Sequence, residues 1–482
     1  MNFTFWTFAR DGKLPDSFPR EKLAGETLLL AGGNSGDARA LHSDPQNFAA
    51  CMNEAARRTQ TGLVVFLPPD LLDLPAGWKE RLLDAAFRNE KSVFFYGDCF
   101  LRGKGGDVLQ TVRFDIGDIS EREDWGVVWA VRAEWLNSIG GLDETHHRAA
   151  FYDLLLRSWM RRVHVGGALA EIPAPARDSE ADTAKNKLFF PGRGKLGGFS
   201  YLFMDPEEER HIEEVFYNFL KRENCWLEGE RTAIPPIPPA SGGEPLVSVV
   251  TPVFNRARFI GKAIESVQRQ TLMGWEYIIV DNGSTDETRD VVRAYAAKDS
   301  RVRLIEYDRN VIAESLNTGV RAACGRYVAQ LDSDDEYLPH TLEKMTSALA
   351  ANPTWGLAIS YYELMDENGQ SLPEFGVVRH ERYNRNNILR RDGAGALRCW
   401  HRSVILEFGG FDEQDLGHYG EDYDLVLKCG EKYEVGRVPE VCYRYRRHGD
   451  NTDVLRDPEL KIRNKTLARL RAIQRRKAMC SQ

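Results

Sequence analysis

The sequence predicts an α/β protein made of two Rossmann-like, mostly parallel sheets in tandem, joined by a helical connector and a proline–glycine linker. Three observations predict it. Across the second half, short apolar runs alternate with amphipathic stretches of about ten to fifteen residues, as strands do with crossover helices. The stretch Ala233-Ile-Pro-Pro-Ile-Pro-Pro-Ala-Ser-Gly-Gly-Glu244 is stiff and then flexible, a linker composition. Segments of the first half also overlay segments of the second, the mark of an internal repeat. At 482 residues the chain is too long for one ordinary core. The expected division is 1–175, 176–244, 245–452 and 453–482.

The second half justifies each element in turn. Pro245 to Phe254 is a strand that opens a domain, and Ile260, Ala263, Ile264 and Val267 line one face of the helix after it. Tyr277–Val280 is a second buried strand. It runs into Asp281-Asn-Gly-Ser-Thr-Asp-Glu287, where Ser284 and Glu287 have capping-box spacing. Val302–Ile305 is a third strand, and Ile312, Leu316, Val320 and Ala323 line another helix. The fourth strand, from Tyr327, ends abruptly in Asp332, Asp334 and Asp335. Three carboxylates so close together repel one another, and folding alone gives no reason to gather them. A hard divalent cation does, because Mg²⁺ or Mn²⁺ takes carboxylate oxygens and keeps positions open for phosphate. A solvated acidic turn is the alternative.

The first half carries a fainter copy. Asn53 to Pro75 lies without a gap on Asn317 to Pro339, Ser138 to Glu144 resembles Glu407 to Glu413, and Tyr152–Leu156 resembles Tyr423–Leu427. The hydrophobic frame persists while the carboxylates go. Pro68 and Pro69 stand for Asp332 and Ser333, leaving Asp70; Asp281 falls opposite roughly Ala31, and Glu421-Asp422 opposite Ala150-Phe151. The first copy is therefore expected to be non-catalytic, unless the likeness is a coincidence between two unrelated α/β domains. Between the copies, Ile212, Val215, Phe216 and Phe219 have helical spacing.

Composition excludes some classes. Hydrophobic residues at 42% and charged residues at 28% suit a globular protein, and a net charge of −8 argues against nucleic acid as a partner. No apolar run is long enough to span a bilayer, and the first residues alternate like a strand rather than a leader. The eight cysteines form no Cys-x-x-Cys pair, which suits reduced thiols in a cytoplasm. From Leu460 on, Lys461, Arg463, Lys465, Arg469, Arg471, Arg475, Arg476 and Lys477 accompany an apolar stripe of Leu460, Leu467, Leu470 and Ile473. Such a helix either rests peripherally on anionic lipid at the inner face of the cell membrane or packs on its own domain. Oligomerisation is left open.

Six motifs in order carry a resemblance. They are Val249-Val-Thr-Pro-Val-Phe-Asn255, Val280-Asp-Asn-Gly-Ser-Thr-Asp286, Leu331-Asp-Ser-Asp-Asp335, Gly409-Gly-Phe-Asp-Glu413, Gly420-Glu-Asp-Tyr-Asp-Leu425 and Tyr443-Arg-Tyr-Arg-Arg-His448. Over residues 245–452 the chain resembles the inverting glycosyltransferases of family 2, which have the GT-A fold. The resemblance implies a nucleotide-sugar donor, UDP-linked by preference, a divalent metal (Mn²⁺ or Mg²⁺), and a hydroxyl of a glycan or lipid-linked glycan as acceptor.

Site residues follow from the same likeness. Asp334 is the expected metal ligand, with Asp332 on the ribose and the metal, and Asp335 structural. Asp281 would accept a hydrogen bond from the base edge, though Asp-Asn-Gly is also good turn chemistry. Pro252, Asn255 and Asn310 would line the nucleotide pocket. Two departures, Ile312 for a common glycine and Leu316 for a common arginine, put one nucleotide contact in doubt. Asp422 would be the general base and Glu421 an acceptor-binding group; otherwise the two are the acidic first turn of a helix. His448 would bind the metal, or its neighbours Arg444, Arg446 and Arg447 the diphosphate. Gly395 and Trp400 would form the acceptor side, Trp400 otherwise being core. A non-catalytic glycan-binding scaffold on the same fold is the rival reading. Asp-x-Asp phosphatases and nucleotidyltransferases fit less well, because Glu336 follows Asp335 and Thr251 to Phe259 is not a glycine-rich basic loop.

Overall fold

The structure, a computed structural model, describes residues 3–9, 14, 16–23, 27–32, 48–59, 62–68, 70–102, 108–109, 115–121, 125–146, 149–173, 206–235, 244–391 and 393–481. Residues 176–205, the middle of the linker (236–243) and Pro69 lie outside these. The chain forms two compact units, the first running to Glu223 and the second from Asn224.

In the first unit the strands are β1 (Phe3–Ala9), β2 (Thr27–Gly32), β3 (Leu63–Phe66), β4 (Phe94–Arg102), β5 (Val108–Leu109), β6 (Trp129–Arg132) and β7 (Arg162–Pro173). They lie in the order β2-β1-β3-β6-β4, with β5 and β7 both pairing β4. In the second unit they are β8 (Val247–Val253), β9 (Trp275–Asn282), β10 (Val302–Tyr307), β11 (Tyr327–Gln330), β12 (Glu336–Tyr337), β13 (Trp355–Met365), β14 (Val377–Val378), β15 (Arg398–His401) and β16 (Glu434–Arg446). Their order is β10-β9-β8-β11-β15-β13-β16-β12, with β14 on β13.

The two sheets share one plan. The path β2-β1-β3-β6-β4-β7 corresponds to β9-β8-β11-β15-β13-β16, and each pairing has the same direction. A tertiary lock recurs as well. Asn53 Nδ2 donates to Leu142 O (2.9 Å) and Glu144 Oε1 (3.0 Å), while Leu142 N–H donates back to Asn53 Oδ1 (2.7 Å). Asn317 does the same with Phe411 O (2.8 Å), Glu413 Oε1 (2.8 Å) and Phe411 N–H (2.9 Å). Each asparagine lies so close to a glycine, Gly141 or Gly410, that a Cβ there would stand 2.5 or 2.3 Å from its Oδ1; both glycines have φ +83°. A side chain is excluded at both by space and by the left-handed backbone.

The strand ends differ. In the first unit Phe66 stacks on Trp129 (4.9 Å between centroids) and Trp129 on Phe151 (4.3 Å), with Trp6 against Phe66 (4.6 Å). The register pairs Phe66 with Trp129 as it pairs Gln330 with Arg398 in the second unit.

Two segments belong to the units beside them. The helix Pro206–Arg222 is part of the first unit rather than a separate connector, because Ile212, Val215, Phe216 and Phe219 are buried there. The helix Pro458–Cys480 is part of the second unit, where Ile473 of the apolar stripe is buried beside Ala468 and Ala472 while Leu460, Leu467 and Leu470 are half-buried. Arg469 donates to the carbonyls of Leu389 and Arg390 (both 3.0 Å), Arg471 pairs with Asp412 (2.7 Å), Arg475 with Glu431 (2.8 Å), and Arg476 is wholly buried on the Arg385 carbonyl (2.6 Å). These charges are engaged within the unit. Among the described residues no helix is long and apolar enough to cross a membrane.

Candidate active site

β8, β9, β10 and β11 run parallel, so their carboxyl ends open on one edge of the sheet. β9 lies on one side of β8 and β11 on the other, which leaves a crevice where the chain turns opposite ways. Asp281 is the last residue but one of β9 and is fully buried. Its Oδ2 accepts Arg289 Nε (2.6 Å) and the backbone N–H of Gly283 (3.2 Å) and Ser284 (3.1 Å). Its Oδ1 is buried with no hydrogen-bond partner. One oxygen builds the turn and the other remains for an incoming N–H, so the two readings of this residue are compatible.

Asn255 follows β8 with φ +50° and joins it to the β9 turn: its N–H donates to Ser284 Oγ (2.9 Å) and its Oδ1 accepts from Thr285 N–H (2.8 Å). Pro252 is half-buried in β8, and Asn310 is exposed just before the helix Ile312–Ala322.

The three carboxylates after β11 have different surroundings. Asp332 is exposed, and its N–H donates to the Tyr443 hydroxyl (3.2 Å). Asp335 is buried and accepts the Tyr443 hydroxyl (2.7 Å) and Arg446 N–H (2.6 Å). Burial, then the charges of Asp334 and Asp332, push it well above the ordinary carboxyl range. Asp334 Oδ2 lies 2.9 Å from His448 Nε2 and 3.4 Å from Arg256 Nε. Burial pulls Asp334 upward, but His448 and Arg256 outweigh it and hold the carboxyl below its usual value. The imidazole stacks on Phe259 (4.7 Å between centroids), and Asp450 N–H donates to its Nδ1 (3.2 Å), so Nε2 carries the proton toward Asp334, with Asn451 Nδ2 3.2 Å away, and must give that proton up to take an ion.

The donor set suits a hard or borderline divalent ion. An oxygen and a nitrogen 2.9 Å apart have the spacing of neighbouring ligands on an ion with bonds of about 2.1 Å. Among the described residues no group of three or more His, Cys, Asp or Glu already converges. The protein thus offers Asp334 and His448, and the exposed Asp332 beside them. The arginines near His448 are engaged elsewhere. Arg444 pairs with Glu363 (3.1 Å), and buried Arg446 with Glu336 (2.6 Å) and the Asp334 carbonyl (2.6 Å). Arg256, which no sequence motif singles out, is the cation that reaches Asp334.

On the other side, Gly420 (φ +89°) starts the helix Glu421–Lys432. Glu421 is buried and its Oε2 has no hydrogen-bond partner; burial, then the Asp422 charge, raise its carboxyl well above the ordinary range. Asp332 also acts on it, so the two acidic groups lie within electrostatic reach of one another. Asp422 accepts the Tyr423 N–H on Oδ1 (2.7 Å), and its Oδ2 pairs with Arg398 Nη2 at 2.6 Å.

Two expectations for the acceptor side change. Trp400 is 0% exposed, with its indole N–H on Gln330 Oε1 (2.9 Å); β15 lies between β11 and β13, so the ring is core and has no face for a sugar. Gly395 is small for a different tenant: a Cβ there would stand 2.5 Å from Arg398 Nη2 and 2.9 Å from its Cζ. It makes room for the guanidinium.

Glycosyl transferase family 2 matches residues 248–407. An uncharacterized glycosyltransferase of Methanocaldococcus jannaschii is 32% identical over 211 residues, covering 42% of this chain and 71% of that protein. Chondroitin synthase of Pasteurella multocida is 26% identical over 338 residues, 67% of this chain and 31% of that protein. The chain spans about a third of the length of the chondroitin and hyaluronan synthases that it matches. S. aureus TarS, solved in complex with UDP, is 19% identical at a TM-score of 0.35, over 42% of this chain and 60% of that one.

Proposed function

The chain belongs to glycosyl transferase family 2, and from that premise we propose that its second unit is a metal-dependent, inverting glycosyltransferase. It moves a sugar from a nucleotide-sugar donor, UDP-linked, to a hydroxyl of a glycan or lipid-linked glycan. The observation that carries this reading is that two acidic groups lie within electrostatic reach of one another in the second unit. Asp334 with His448 lies on the donor side, and Asp422 with Glu421 on the other, close enough for the Asp332 charge to act on Glu421.

The orphaned Asp281 Oδ1 receives the N–H of the base. Asp334 and His448, with Asp332, hold the divalent ion, which as a Lewis acid would neutralise charge on the leaving diphosphate. Asp422 takes the proton of the acceptor hydroxyl as its oxygen bonds to the anomeric carbon. The bond from that carbon to the donor phosphate breaks, and its electrons leave on the nucleoside diphosphate. Attack from the face opposite the leaving group inverts the centre. Glu421, whose burial favours the protonated carboxyl, would donate a hydrogen bond to the acceptor. The first unit is the non-catalytic copy, and the chondroitin synthase likeness favours polysaccharide elongation.

The test is product formation from a panel of UDP-, GDP- and CDP-sugars with Mn²⁺ or Mg²⁺, alongside nucleotide binding by calorimetry. Binding of one diphosphate only with metal, and turnover of its sugar, are expected. Nucleotide binding that survives Asp334→Ala, or no binding at all, overturns the reading.

A further inference from the structure

We infer that Arg398 is a positioning residue that aims the Asp422 carboxylate, and that Gly395 is its seat. This rests on the reading of Asp422 as the base. A general base works only if its oxygen is held at the right place and angle, and a carboxylate on the first turn of a helix swings freely about two torsions. Here it is held from both sides. The Tyr423 N–H fixes Oδ1, and Arg398 Nη2 fixes Oδ2 at 2.6 Å. The two partners are neither deep in the core nor free in water: their side chains are 16% and 29% exposed, for arginine and aspartate respectively. The pair is therefore partly open to solvent, which leaves room for an acceptor to approach the carboxylate.

Arg398 reaches this place because of where it starts and what makes room for it. It is the first residue of β15, with Gln330 across on β11 and Ile359 across on β13. The guanidinium lies directly against the backbone of Gly395, where a methyl group would stand 2.5 Å from Nη2 and force the arginine to move. A larger residue at 395 would push Nη2 away from Asp422, so the glycine acts on the base through the arginine.

The first unit offers an internal control. The counterpart of Arg398 by register is Trp129, the counterpart of Asp422 is Phe151, and these two rings meet at 4.3 Å, tilted by 33°. The arginine and the aspartate are replaced together, by partners that again touch one another.

The test compares Arg398→Met, Arg398→Lys and Gly395→Ala with the wild type in full-length protein. It uses the sugar nucleotide that the wild type turns over, with nucleotide affinity measured by calorimetry. Arg398→Met and Gly395→Ala are expected to lower kcat on the order of a hundredfold, the cost of a misplaced catalytic group, with the KM for the donor unchanged. Arg398→Lys keeps a cation without the fork and should recover part of the loss. Added guanidinium chloride at low concentration should revive Arg398→Met but not Gly395→Ala, in which the arginine is still present. Wild-type kcat in Arg398→Met, or a loss that neither lysine nor guanidinium relieves, overturns the positioning role and leaves the base assignment standing. A wild type that transfers no sugar overturns both.

Discussion

The two units follow the same strand path and carry the same asparagine lock, yet they spend their strand ends differently. In the first, Phe66, Trp129 and Phe151 close the region with stacked rings. In the second, Gln330, Arg398 and Asp422 occupy the corresponding places, and polar atoms are left unsatisfied nearby at Asp281 Oδ1 and Glu421 Oε2. Each such orphan costs about 1–3 kcal/mol, whereas each buried aromatic ring contributes about 1.5–3 kcal/mol. The comparison teaches that this frame folds with or without these polar groups, and that they are held at the expense of stability.

The sharpest way to break the contrast is at the base. Asp422→Asn is expected to lower turnover by about 10²–10⁴-fold while nucleotide affinity stays at the wild-type level; calorimetry beside a product assay decides it. Next is the donor side. Asp334→Ala should weaken Mn²⁺-dependent UDP binding by more than about a hundredfold, since even outer-shell changes cost up to that much. A thermal shift on adding UDP with Mn²⁺ that survives the substitution would place the cation elsewhere.

The first unit is tested by its rings. Trp129→Ala should cost about 3–5 kcal/mol, read as faster hydrogen exchange in β3 and β6. A small effect would mean that the stack is not what holds that end closed. The shared lock predicts equal penalties: Asn53→Ala and Asn317→Ala should each lose about 1–3 kcal/mol in the exchange of their own unit. Unequal losses would show that the likeness is geometric without being energetic.

The smallest effect concerns Glu421. Its folded carboxyl lies well above the ordinary 4.5, so folding takes up a proton between the two values. That stability is present below the ordinary value and lost as pH rises through the raised one. Glu421→Gln should therefore gain on the wild type as pH increases, by about 1.4 kcal/mol for each unit of the elevation. A difference that is flat with pH would mean the carboxyl ionises freely in the fold.

Much of this was legible in the sequence. A strand that ends in clustered carboxylates is a local pattern, so Asp281, Asp334 and Asp335 could be located from their neighbours alone, as could the helix start at Glu421. Asn53 and Asn317 were visible as a repeat but not as a lock, because their partners lie about ninety residues away. Arg256 and Arg398 carry no signal of their own among 64 basic residues; only the approach of separate strands gives them partners. Trp400 shows the same limit. An aromatic residue in a strand suits a platform or a core, and only the position of β15 between two neighbours decides. In the last helix the leucine periodicity was plain, whereas burial of Arg469 and Arg476 depends on carbonyls of a distant loop.

One consequence follows from Asn317. It sits on the helix that leads into β11, ten residues ahead of that strand, and it grips the loop that leads toward Glu421. A single amide thus works like a rivet through both working edges of the domain. Lengthening the chain between Thr318 and Arg326 by even one residue would rotate the rivet relative to the acidic tip.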